Sequence, residues 1–61
     1  MKVKFINFFT DELVAEKTME VLPSVKDLVV INGLSYEVTP NKWFCLDTEE
    51  GDFITIFIHK L

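Results

Sequence analysis

Apolar and polar positions alternate with a period of two along most of this chain. That period is the signature of strands with one buried face. The clearest stretch is Asp27-Leu28-Val29-Val30-Ile31-Asn32-Gly33-Leu34-Ser35-Tyr36-Glu37-Val38. Asn32-Gly33 at its centre predicts a two-residue type I′ turn, which needs positive φ at both positions. Such a turn sets Ile31 opposite Leu34 and Val29 opposite Tyr36. Val29, Ile31, Leu34, Tyr36 and Val38 then share the core face. Leu28, Val30, Ser35, Glu37 and Thr39 share the other, where Leu28 and Val30 need cover. Val3 to Phe9 also reads as a strand, with the alternation breaking at Ile6-Asn7-Phe8-Phe9, where a bulge or burial on both faces is expected. Val14 to Leu22 fits two patterns. Its Ala, Glu, Lys and Met favour a helix that Thr10 or Asp11 could cap. Its alternation of Ala15, Lys17, Met19 and Val21 with Glu16, Thr18 and Glu20 favours a strand, hairpinned to the first across residues 10 to 13. Thr39-Pro40-Asn41-Lys42 is expected to interrupt the sheet, and Trp43 to Leu46 to resume it. Asp47 to Asp52 reads as a polar turn with Gly51 left-handed. Phe53 to Leu61 is the last strand. Its Ile54, Ile56 and Ile58 point one way, and Phe53, Thr55, Phe57, His59 and Leu61 point the other.

Five strands with short connections predict an all-β domain over residues 1–61, a small five-stranded antiparallel barrel of the SH3-like kind or a strongly twisted sheet. Closure would remove exposed edges. A flat sheet with one helix is the alternative. A chain of 61 residues buries only about 60% of its unfolded surface, so its core is marginal. Domains this small usually add a disulfide, a metal or self-association. Cys45 and His59 are the only cysteine and histidine, which leaves self-association. The stripe of Phe53, Phe57 and Leu61 opposite the isoleucines is the candidate interface, unless the N-terminal residues cover it. A homo-oligomer is expected, a dimer or a multiple of one.

The formal charge is −4, with six lysines and no arginine. Duplex nucleic acid, which wants a concentrated positive field, is therefore a poor partner. The apolar run after Lys2 and Lys4 is too short for a signal segment, and no stretch approaches a membrane span. A cytoplasmic location is expected, with no membrane partner and no cofactor.

Candidate chemistry is sparse. Asp47, Glu49, Glu50 and Asp52 crowd one turn, but their spacing does not match an EF-hand, and a solvated turn is the plainer reading. His59 and Cys45 belong to no nucleophile–base motif. Cys45 reads as a small apolar filler. Tyr36 and Trp43 flank the Thr39–Lys42 interruption. With Asn41 and Lys42 they could stack a base and hold a phosphate, as in a small-nucleotide pocket. As plain core residues they would need no ligand. Lys2, Lys4, Lys17 and Lys42 could add charge at a shared pocket, or simply solubilise. With no nucleophile, base and orienting group together, an enzyme is not expected.

The run Leu22 to Val38, followed by Trp43, an acidic turn and a β-rich last strand, resembles short phage and prophage proteins of Gram-positive bacteria. Their loose pattern is leucine-proline, a loop, glycine-aspartate, a hydrophobic strand, a glycine turn, tyrosine-x-valine and tryptophan. Lys26 stands here where the pattern has glycine. The likeness covers about two-thirds of the chain and implies a viral origin. It also implies an accessory or counter-defence role, with no residue-level function attached. Three functions follow: a self-associating inhibitor of a host defence protein, an oligomeric sponge for a small signalling nucleotide, or a virion or morphogenesis component.

Overall fold

The computed structural model describes residues 1–61. Five strands form one sheet: β1 (Lys2–Asn7), β2 (Leu13–Thr18), β3 (Leu28–Ile31), β4 (Leu34–Thr48) and β5 (Gly51–Lys60), in the order β2-β1-β5-β4-β3. The ambiguous segment is a strand over Leu13–Thr18, hairpinned to β1. No helix is long and apolar enough to cross a membrane.

The β3–β4 hairpin keeps the expected register, Ile31 opposite Leu34 and Val29 opposite Tyr36. Asn32 and Gly33 have φ of 51° and 81°, as a type I′ turn demands. Gly51 is left-handed as well. Lys26 also adopts a positive φ, 72°. A glycine would sit there without strain, and the backbone explains why the lysine tolerates it. Lys26 N–H donates to the Val38 carbonyl, and Val38 N–H donates to that of Asp27. Ser24 N–H donates to the Asp27 carboxylate at 2.8 Å. The loop is fastened to β4 through that left-handed residue.

Two expectations are corrected. The sheet is mixed, because β1 runs parallel to β5, with Val3 beside Ile54 and Phe5 beside Ile56. Turn signals report only neighbours in sequence, and this pairing joins the two ends of the chain. That register sets Val3 and Phe5 on the face of Ile54, Ile56 and Ile58. Nor does the sheet close into a barrel, since β2 and β3 do not pair. It curls instead. Val14, Ala15 and Met19 from one edge, and Val29 and Ile31 from the other, pack on one cluster of Val3, Phe5, Tyr36, Val38, Ile54, Ile56 and Ile58. A seam of about 410 Å³ between the edges is lined by Phe5, Met19, Val29 and Ile31 among others.

The second correction concerns Thr39–Lys42, which does not break the sheet. β4 runs through it with a bulge, in which Thr39, Pro40 and Asn41 face only Phe57 of β5. Thr39 holds the bulge: its buried hydroxyl donates to the Phe57 carbonyl at 2.7 Å and accepts from Asn41 N–H at 3.2 Å. Proline, lacking an N–H, suits such a place. The bulge adds two residues to β4, so the alternation of faces continues in phase across it.

Left-handed backbone costs a non-glycine residue about 1–2 kcal/mol, and glycine gives back about 0.5–1 kcal/mol in unfolded-state entropy. Gly33→Val is therefore expected to lower the melting temperature by roughly 5–10 °C, and Lys26→Gly to raise it by up to about 5 °C. Thermal melts of the two variants check both signs.

Candidate functional site

β5 is buried on both faces. Ile54, Ile56 and Ile58 fill the curled side, while Thr55 and Phe57 are buried on the convex side. The chain supplies no second layer there, so side chains from a loop and from β4 supply the cover. The loop is built by Asn7 at the end of β1. Its Oδ1 accepts from Phe9 N–H at 2.9 Å and from Thr10 N–H at 3.2 Å. Its carbonyl accepts from Asp11 N–H. This is the local side-chain bonding that asparagine offers a turn. Phe8 N–H donates to the Ile58 carbonyl at 2.7 Å, which docks the loop onto β5.

Phe8 then meets Phe57 edge to face, with centroids 6.4 Å apart and planes at 86°. Trp43 meets Phe57 from the opposite side at 5.0 Å and 71°. Phe57 is thus the floor, and Phe8 and Trp43 are walls standing nearly upright on it. Asp11 and Asn41 complete a cleft of about 280 Å³. Trp43 keeps 63% of its surface exposed, so the cleft is open. Phe9 continues the aromatic surface to His59 at 6.1 Å.

Of the residues expected to hold a ligand, Trp43 and Asn41 come together in this cleft. Tyr36 does not; it belongs to the core cluster. Lys42 lies directly opposite Ile56, in the register of the curled face, whereas Trp43 lies opposite Thr55. Tyr36 and Trp43 are an odd number of residues apart on a strand whose phase the bulge preserves, so they stand on opposite faces. Of the expected interface residues, Phe57 is covered by Phe8 and Trp43. Phe53 is half-buried beneath the Lys4 ammonium, 4.2 Å from its ring centroid. Leu61 is exposed. The sequence pattern does not mark Phe8 and Asp11 as ligand residues. The usable signal was the asparagine followed by two phenylalanines just where the alternation of β1 fails.

Cys45 and His59 are not partners. Cys45 lies opposite Phe53 and His59 opposite Glu37, about 20 Å apart along β5 at about 3.3 Å per residue. Cys45 Sγ lies 4.0 Å from Thr55 Oγ1. His59 Nε2 donates to Glu37 Oε1 at 2.8 Å. No three histidine, cysteine or acidic side chains are grouped as metal ligands. In the acidic turn, Asp52 instead accepts from Asp47 N–H at 2.9 Å, and Glu50 pairs with Lys4. Comparison with protein-family models, with curated proteins and with solved structures finds no match.

The bond between Glu50 and Lys4 lowers the Glu50 pKa and raises that of Lys4, with their mutual charge adding to both. The glutamate contribution to stability is present above the ordinary carboxylate range and fades as pH falls through the depressed value. The lysine contribution is present below the ordinary ammonium range and fades as pH rises through the raised one. Glu50→Gln is expected to lower the urea midpoint modestly at neutral pH and to flatten its loss on acidification, so that variant and wild type converge at low pH. An unchanged acid slope would remove the pair from the account.

Proposed function

We propose that the protein is a non-enzymatic binding module of the phage-accessory kind. It works in the host cytoplasm, associates with copies of itself and occupies a host defence protein. The carrying observation is the open cleft of Phe8, Phe57 and Trp43. An aromatic surface fixed by a hydrogen-bonded loop yet left wet is what a recognition site requires. Self-association draws support from the other end of the sheet. Leu28 and Val30, on the outer face of edge strand β3, remain 63% and 70% exposed. The cover they call for is not supplied within the chain. Beside them runs the unclosed seam between β2 and β3, and a free edge of this kind readily accepts another strand. The curled all-β sheet is consistent with kinship to SH3-like barrels, and a left-handed Lys26 is consistent with the glycine of the phage pattern.

A nucleotide sponge is the second reading, favoured by Trp43 and Asn41 sharing one cleft. Three facts weigh against it. Asp11 brings a carboxylate to that cleft, where it would repel phosphate, and Lys42 faces the other way. The volume, about 280 Å³, also falls at the lower limit of small-molecule pockets, about 300 Å³, and suits a side-chain-sized group better than a whole nucleotide.

Native mass spectrometry of the purified protein is expected to show a dimer or a multiple of it. Val30→Lys should yield a folded, smaller species, because the new charge meets solvent in the monomer and a neighbouring strand in the assembly. A wild-type monomer at every concentration would overturn the self-associating half of the proposal.

A further inference from the structure

The cleft has a chemistry more specific than greasiness. Its two walls are aromatic rings standing at 86° and 71° to the Phe57 ring that forms its floor. A small group lowered between Phe8 and Trp43 is therefore surrounded by aromatic surface on its sides and by Phe57 below. Aromatic faces carry negative quadrupole potential and attract cations, most strongly those whose charge is spread over methyl groups and weakly hydrated. The charged residue lining the cleft is Asp11, an anion. The loop fixes its backbone at a φ of 60°, through its N–H bond to the Asn7 carbonyl. No lysine lines the cleft itself; of those lining the adjoining hollows, Lys4 is held by Glu50 and the Phe53 ring, and Lys26 shares its hollow with the Glu37 carboxylate. The whole chain carries −4, which favours approach of a cation.

We infer that the Phe8–Phe57–Trp43 cleft, with Asp11 at its rim, binds a quaternary ammonium group. This rests on the preceding reading of the cleft as the recognition site and names the chemistry recognised there. Two sources carry such a group: a small molecule of the choline type and a trimethylated lysine side chain on a protein. Either would lower its methyl groups onto Phe57 while the positive charge faces Asp11. Phosphate-bearing and carboxylate ligands are disfavoured by the same carboxylate.

Trp43 is the single tryptophan, so its fluorescence reports occupancy directly. The full-length protein is titrated with choline and, separately, with 3,3-dimethylbutan-1-ol, which has the same shape and no charge. A trimethyllysine peptide and its isoleucine-substituted counterpart form the second pair of probes. Cation over neutral probe is expected to show a preference of roughly 2- to 30-fold, the range a cation–π site supports. The pair with the larger preference assigns the source. Asp11→Asn should reduce the preference without weakening the neutral probe, and asparagine tolerates the left-handed backbone at that position. Trp43→Ala, read by the Phe57 ring resonances, should lose both probes while the exposed position leaves the fold intact. Equal affinity for cation and neutral probe would overturn the inference and keep the cleft as a binding site. No response to any probe would remove the cleft itself from the proposal, leaving self-association standing or falling on the mass spectrum.

Discussion

Five consecutive residues of β5, Ile54 to Ile58, are buried, and the rest of the molecule follows from that. A strand buried on both faces belongs in the middle of a layered protein, but 61 residues do not make two layers. On one side the sheet solves the problem by curling until residues of β2 and β3 both pack on the cluster that holds the isoleucines. On the other side Phe8 and Trp43 are laid over Phe57 like props. Cover made of separate side chains leaves a slot between them where a packed layer would not. The cleft is a by-product of covering a central strand with too little chain, and its aromatic lining is what makes that by-product useful.

Much of this was readable from the residues. The Asn32-Gly33 turn fixed one hairpin with its register, and the alternation in Phe53–Leu61 identified the three core isoleucines. The break in alternation from Ile6 predicted a bulge, and the β1–β2 register does shift there, but β1 ends at Asn7, two residues before the expected end at Phe9. The parallel union of β1 and β5 was not readable, because nothing local distinguishes which edges two hairpins will share. The error over Tyr36 and Trp43 has a narrower cause. Proline within Thr39–Lys42 suggested an interruption, which would free the two aromatics to face the same way. A buried threonine hydroxyl instead closes a bulge of even size, and an even insertion conserves phase. Counting seven residues along an unbroken strand places them on opposite sides.

Charge is distributed with a similar economy. Lys4 lies across Phe53 and reaches Glu50, tying β1 to the turn between β4 and β5. His59 and Glu37 join β5 to β4 on the same convex face. Neither pair is deeply buried, so each contributes modestly to stability in solvent. Their larger effect is to occupy Lys4, Glu50, Glu37 and His59 beside the aromatic surface, while Asp11 is the charged group lining the cleft itself.

The union of β1 with β5 has a consequence for synthesis. Val3 must wait for Ile54, 51 positions downstream, before its partner leaves the ribosome. Until then β1 and β2 form only a hairpin with Val3 and Phe5 bare, and two-stranded hairpins are marginal in water. Assembly of the interior therefore waits on a pairing between segments far apart in the chain. Until that pairing forms, the bare apolar residues of β1 are surface through which unfinished chains can stick to one another.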